Sequence, residues 1–339
     1  MKDIAVSQSN PQPFQATRAV TITAPPIGID IGGTKINAAV VLPGQNTEES
    51  MQSLINAPTP TESEPFLQTL VDMIRKLHHE HQVSAVGIAT AGVVDSIHGR
   101  ILGSTGNMPA LKNLMNLKER LEDQVQLPVH IENDANAAAY GEWHSGAAEG
   151  AQNMFAITLG TGVGMGIVFD GKMYRGSHFY AGEGGHIAIS YRRERLCTCG
   201  RWDCWEAYAS GIGLKKTAEL AVEAATETTR NEFTEKYCEN GEVTTYAVIA
   251  AWKENNHLGV KIMDEWHHHI AVGLGSLINV MDPDIIVVGG GLAQFVNFDL
   301  LLERTQERSI SQGFNLVPAK LGNYAGIVGA AYLALEASA

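Results

Sequence analysis

One histidine and three cysteines, His186, Cys197, Cys199 and Cys204, fall within 19 positions of a 339-residue chain. Nothing else in the sequence constrains the fold as tightly. Four such donors can meet at one point only if the chain between them folds back on itself. They are the donor set of a closed tetrahedral Zn²⁺ site, and three thiolates with no open position make the metal structural. A disulfide framework does not bunch its cysteines this way in a long chain, so a reducing compartment, the cytoplasm, is expected. Cys238 stands apart and reads as an ordinary semi-buried thiol. The run His267-His268-His269 has no cysteine or acidic pattern around it and reads as the solvated face of a helix, not a second metal site.

The glycines carry the next constraint. They number 35, about 10% of the chain against a usual ~7%, and the excess belongs where a backbone needs positive φ or close approach. Asp30-Ile31-Gly32-Gly33-Thr34-Lys35 puts an acid at a strand end, then two glycines and a hydroxyl. Backbone N–H groups of such a turn can face a phosphate, and the carboxylate can hold Mg²⁺ directly or through water. An ordinary Gly-Gly hairpin turn is the plainer reading. Gly160-Thr161-Gly162-Val163-Gly164-Met165-Gly166 sets alternating glycines inside two strands, which weakens a sheet unless something approaches its backbone. A strand follows, not a helix, so a phosphate-gripping hairpin fits and a dinucleotide fingerprint does not. Gly289-Gly290-Gly291 could let a flat ring lie on the backbone, or be a mere strand-to-helix turn. In Glu132-Asn133-Asp134-Ala135-Asn136-Ala137, Asp134 reads either as the N-cap of an Ala-rich helix or as a general base, with Asn133 offering a donor and an acceptor to a sugar hydroxyl.

Periodicity supplies the frame. Strands are expected over 27–31, 36–42, 51–57, 83–89, 128–132, 154–159, 163–169 and 285–288. Helices are expected over 66–81, 114–125, 135–147, 205–226, 245–255, 258–280 and 326–336. The alternation argues for α/β architecture, and two glycine-rich hairpin turns, near 32 and 161, for two similar halves with a cleft between them. Residues 1–24 are polar and aperiodic and read as a disordered tail. With 24 basic against 37 acidic residues the net charge is −13, the wrong sign for a nucleic-acid binder. No apolar run reaches membrane-spanning length, and no basic patch with a following apolar run marks a secretory signal.

Taken together, these motifs resemble the ROK family of sugar kinases, over roughly residues 25–338. The matching residues are 30–35, Asn133-Asp134, the signature Gly162-Val163-Gly164-Met165-Gly166-Ile167 with Gly176, Gly182, Gly185 and His186, and the loop Cys197, Cys199, Gly200, Cys204 with Glu206. One departure stands out: the family's usual glycine before the last cysteine is Asp203 here, which changes the φ preference of the loop.

The resemblance implies a two-domain actin-like ATPase fold of the sugar kinase, Hsp70 and actin type. Residues 25–133 plus the C-terminal helix 325–339 would form a smaller α/β domain, and 134–324 a larger one with the zinc loop. It implies Asp134 as catalytic base and Gly92, Asn133, Glu183, His186 and Glu206 as sugar contacts. His186 would use its second ring nitrogen for the sugar. Asp30 would sit near Mg²⁺ and the γ-phosphate. Gly32, Gly33, Thr34 and Lys35, then Gly160, Thr161 and Gly162, would form two phosphate loops, and Gly290-Gly291 the adenosine site. The implied reaction is ATP-dependent phosphorylation of glucose at its 6-hydroxyl, by a homodimer or homotetramer. N-acetylglucosamine, N-acetylmannosamine and fructose are alternative substrates, since 206–211 and 103–105 also look like N-acetylhexosamine kinases. Some ROK proteins are sugar-responsive transcriptional regulators, but these carry an N-terminal helix-turn-helix, for which two dozen polar residues are too few.

Overall fold

The computed structural model describes residues 24–42, 44, 50–103 and 108–338. The expected tail, apart from Ala24, and the Ser104-Thr105 segment lie outside the described residues. The first half contains β1 (Ile27–Ile31), β2 (Lys35–Val41), β3 (Met51–Pro58), α1 (Ser63–His81), β4 (Val86–Thr90), the small hairpin β5 (Val93–Asp95) and β6 (Arg100–Gly103), α2 (Leu117–Val125), β7 (Val129–Asn133) and α3 (Asp134–Ser145). The second contains β8 (Met154–Leu159), β9 (Val163–Phe169), β10 (Lys172–Met173), α4 (Glu206–Ala209), α5 (Gly211–Ala224), α6 (Glu227–Tyr237), α7 (Thr245–Lys253), α8 (His257–Met281), β11 (Ile285–Gly289), α9 (Phe298–Gln306), β12 (Asn315–Pro318) and α10 (Ala325–Ser338).

The two five-stranded sheets share one topology. Their orders are β3-β2-β1-β4-β7 and β10-β9-β8-β11-β12. Each has an antiparallel hairpin at its centre, β1-β2 or β8-β9, with two parallel strands on the far side. The two glycine-rich turns are therefore the tips of equivalent hairpins.

Alternation in β1 sets the layers. Ile27, Ile29 and Ile31 fall on one face and join a core with Phe66, Leu70 and Ile74 of α1. Gly28 and Asp30 fall on the other, against α10. A Cβ on Gly28 would lie 2.0 Å from the carbonyl oxygen of Ile327, and one on Gly87 of β4 1.8 Å from that of Ala330. Helices α10 and α3 cross just as closely: a Cβ on Gly329 would lie 1.7 Å from the carbonyl oxygen of Ala137. One core cluster joins these two helices to residues of both sheets, including Ala39, Ala89, Ala156 and Val287. The glycine excess is thus partly a packing device. Glu142, buried on α3, accepts hydrogen bonds from the N–H groups of Lys320 (3.1 Å) and Leu321 (2.7 Å), which fixes the approach to α10.

Three expectations need correction. Asp134 is not the cap of α3 but its first residue; Asn133 caps it, its Oδ1 accepting from the N–H groups of Ala135 (3.0 Å) and Asn136 (3.1 Å). The single helix expected over 205–226 breaks at Ser210, which is extended and caps α5 through Gly213 N–H. Apolar periodicity runs on across that break and hides it. The histidine run is not solvated. His267 is only 2% exposed, with Nδ1 2.6 Å from the Met263 carbonyl oxygen and Nε2 accepting from Asn297 N–H. His269 is buried too, edge-on to Tyr208, and burial drives its pKa down to about 3. Helix α8 packs against α5, α7 and α9, so a polar run along it faces inward. Helices α6 and α9 and strand β12 were not anticipated; α6 buries only Phe233 and offers no apolar stripe to read.

Candidate active site and metal loop

A cleft of about 570 Å³ opens beside the β1-β2 hairpin and the start of α3. It brings together Asp30, Lys35, Asp134 and Gly290, with Thr158 and Gly326. Asp30 ends up there because it is the penultimate residue of β1, and Asp134 because β7 runs parallel to β4 and ends beside it. Burial pushes the Asp134 carboxyl above its ordinary range, against the opposing hydrogen bonds from the backbone of Ala135 and the side chain of Asn133. Burial, then the nearby Asp134 charge, lifts Asp30 to about 6.

That shift has a sign that can be measured. A carboxyl raised in the folded state favours its neutral form, so the stability it confers is full below pH ~4 and lost as pH rises through ~6. Asp30→Asn should therefore be more stable than the parent at pH 8, by about 1–2 kcal/mol after allowance for partial exposure, with the gap closing toward pH 4. Urea unfolding at the two pH values, without metal or nucleotide, reads it. A variant less stable at pH 8 would mean that the carboxylate is compensated where it sits.

Gly32, Gly33 and Thr34 form the exposed tip of the first hairpin. Gly32 N–H closes the turn on the Lys35 carbonyl (3.0 Å), and Thr59 ties the tip back through its hydroxyl to the Gly32 carbonyl (2.7 Å). Asn133 Nδ2 donates to the carbonyl of Gly92, a glycine at φ 107°, so these two candidate sugar contacts are fixed to one another (3.0 Å). Glu183 and His186 face each other, with 3.7 Å between Oε2 and Nε2. Gly291 follows Gly290 beyond the end of β11.

Glu132 and Arg175 carry no sequence signal that points to a shared role. Glu132 is 1% exposed and accepts from Arg175 Nε (2.7 Å), Asn136 Nδ2 (3.0 Å) and Asn133 N–H (3.0 Å). Burial alone would raise its pKa; His130, Arg175 and Asn136 together hold it below the usual carboxylate range. The pair fastens the chain after β10, which leads to Glu183 and His186, onto the strand end that carries Asp134. No spacing rule could reveal it, because the partners are 43 positions apart.

The four metal-donor residues converge. Their donor atoms all lie within 4.8 Å of one another, with 3.7 Å between His186 Nδ1 and Cys197 Sγ and 3.6 Å between the sulfurs of Cys199 and Cys204. Bonds of ~2.3 Å to sulfur and ~2.1 Å to nitrogen give tetrahedral edges of about 3.6–3.8 Å, so the donor set fits Zn²⁺. It is His186 Nδ1 that turns to the cysteines.

Asp203 explains the departure from the family pattern. It adopts φ 57°, the left-handed conformation that a glycine would supply, and its buried carboxylate accepts from the N–H groups of Arg193 (2.6 Å), Glu194 (3.0 Å) and Arg195 (2.9 Å) and from the Tyr208 hydroxyl (2.8 Å). Burial alone would raise its pKa; these donors more than offset that and lower it. Asp203→Gly keeps the backbone relaxed but orphans the donors, costing about 2–4 kcal/mol. Asp203→Ala should cost about 1 kcal/mol more, because alanine also strains at positive φ. Equal stabilities of the two variants in urea would remove the backbone argument.

Glu206 lies between this loop and the second hairpin. Its Oε1 accepts from the Thr198 hydroxyl (2.8 Å), and its Oε2 from the N–H of Val163 (3.0 Å), next to Gly162. Gly160 accepts from Gly211 N–H at the start of α5 (2.8 Å), and Thr161 lies exposed at the tip between them.

Paired sheets of one topology, shared packing helices and a cleft lined by Asp30, Lys35 and Asp134 make up an actin-like ATPase fold, here that of a sugar kinase. Residues 26–337 match the ROK family, and the chain belongs to it. It is 35% identical to a glucokinase of Streptomyces coelicolor, over 91% of this chain and 97% of that one. It is 29% identical to an N-acetyl-D-glucosamine kinase of Vibrio cholerae, over 91% and 99%. A crystal structure of a ROK family glucokinase from Streptomyces griseus, in complex with glucose and AMPPNP, superposes with a TM-score of 0.72 at 33% identity, covering 92% of this chain and 99% of that one. The protein is a hexose kinase, a phosphotransferase with a sugar hydroxyl as acceptor. Among the described residues no helix is long and apolar enough to cross a membrane.

Proposed function

We propose that this kinase transfers the γ-phosphoryl group of ATP to the 6-hydroxyl of glucose, with Asp134 as general base. The observation that carries the reading is Asp134 itself: a carboxylate in a cleft with Asp30, its proton affinity raised by burial, on a helix that another residue caps. A base with a pKa nearer neutrality accepts a proton more readily at the transition state. The hydroxyl oxygen attacks γ-phosphorus, its proton passes to Asp134, and the bond to the ADP oxygen breaks. Mg²⁺ near Asp30 would screen the phosphate charge, and most of the remaining work is positioning.

Gly32, Gly33, Thr34 and Lys35 would hold phosphate from one side and Gly160, Thr161 and Gly162 from the other, with adenosine at Gly290-Gly291. Gly92, Asn133, Glu183, His186 and Glu206 would hold the sugar. Zn²⁺ on His186, Cys197, Cys199 and Cys204 would fix the tautomer of His186 and leave Nε2 for a sugar hydroxyl. We assign 25–133 with 325–339 to the smaller domain and 134–324 to the larger, a division supported by the separate hydrophobic cores of the two sheets. A cytoplasmic homodimer or homotetramer is the assembly that we expect, and light scattering measures it.

The likeness to an N-acetyl-D-glucosamine kinase favours a second reading, an acetamido sugar as acceptor. Turnover of ATP with glucose, mannose, fructose, N-acetylglucosamine and N-acetylmannosamine separates the two. Glucose should give the highest kcat/KM, with the phosphate on O6 by NMR. A higher kcat/KM for an N-acetylhexosamine would replace glucose, and no turnover with any sugar would overturn the kinase reading of the site.

A further inference from the structure

Glu206 faces two ways. Its carboxylate is held on the zinc loop by the Thr198 hydroxyl at Oε1 (2.8 Å), with Cys197 Sγ also facing that oxygen (3.4 Å). Its Oε2 holds Val163 N–H (3.0 Å), the first residue of β9 after the hairpin tip. The fit leaves no slack, since a Cβ on Gly162 would lie 2.4 Å from Oε2. A carboxylate is one rigid plane. Any rotation that carries Oε1 toward a sugar hydroxyl moves Oε2 against Val163 N–H, and any shift of the hairpin under a phosphate turns Oε1.

We propose that Glu206 couples the sugar and nucleotide sites, with Thr198 as its positioning residue: the Thr198 hydroxyl sets the carboxylate so that sugar at Oε1 and the hairpin at Oε2 favour one orientation. The inference rests on the reading that Glu206 contacts the sugar. By linkage each substrate then raises the affinity of the protein for the other by the same factor. The departure from a simple sugar pocket is that a side chain of the zinc loop, touching neither substrate, changes nucleotide binding.

The test is calorimetric titration of the holoenzyme with sugar, with Mg²⁺ and AMPPNP, and with each in the presence of the other. The sugar is whichever member of the panel turns over fastest, so a wrong glucose assignment leaves this test intact. The parent should show a coupling factor of about 5–150. Thr198→Val should bring it to within about twofold of unity at unchanged zinc content, and Thr198→Ser should restore it. Gly162→Ala, whose added methyl would lie 2.4 Å from Oε2 and push the carboxylate from the hairpin side, should lose the coupling too. A parent without coupling, or full coupling retained in both Thr198→Val and Gly162→Ala, would overturn the proposal. Turnover with no sugar at all would instead remove the function on which it rests.

Discussion

Asp134→Asn is expected to lower kcat by ~10²–10⁴-fold while sugar binding persists. The structure makes this substitution unusually clean. Asn133, not Asp134, supplies the cap of α3, and the one bond that Ala135 N–H makes to Asp134 Oδ1 (2.9 Å) can be accepted by an asparagine Oδ1 as well. Asp134 carries a carboxylate whose ionised form is disfavoured by burial, so the variant should be as stable as the parent or more so. Single-turnover kinetics with calorimetric sugar binding decides the matter. A kcat within threefold of the parent would show that another group takes the proton.

The second large effect concerns the metal loop. Protein purified without added metal should contain one Zn²⁺ per chain by elemental analysis, and Cys238→Ser should leave that ratio unchanged. Stripping the metal with a chelator releases the anchor of the chain between His186 and Cys204. A loss on the order of 2–4 kcal/mol is expected, a fall in Tm of roughly 3–6 °C for a chain of this length. Sugar KM should rise with it, because Glu183 and His186 lean on the same loop. Zinc-free protein that melts and turns over like the parent would refute a structural metal.

The fold and the site are legible in the sequence to different degrees from place to place. The strands around the glycine turns were legible nearly to the residue: 154–159 and 163–169 are β8 and β9. Apolar β-branched runs end abruptly at glycines, and both signals agree there. The convergence of His186, Cys197, Cys199 and Cys204 was legible because donor chemistry and spacing coincide. The break at Ser210 was not, since a cap that interrupts one apolar stripe looks the same as a polar residue within it. Nor was the burial of His267 and His269, which depends on helices distant in sequence. The Glu132–Arg175 pair and the bond from Val163 N–H to Glu206 each join residues 43 positions apart, and such pairing has no local signature. The notable case is Asp203. Its residue type hinted only at a changed loop, whereas the structure has it keep the glycine's backbone conformation and add a set of bonds that glycine could not make.

The crossing of α3 and α10 has a mechanical consequence. Most helix pairs are keyed by ridges of side chains seated in grooves, which select an angle and resist sliding. Here Gly141 and Gly329 bring backbone onto backbone at the crossing, and further along the rings of His144 and Tyr332 stack at 3.7 Å while the Tyr140 hydroxyl donates to Glu336 (2.9 Å). Such a joint is pinned rather than geared: main chain meets main chain at one point, and a stacked pair of rings and one hydroxyl bond hold the angle beyond it. That closeness leaves the crossing without tolerance, since a single methyl at position 329 is a grain of sand 1.7 Å from a carbonyl oxygen.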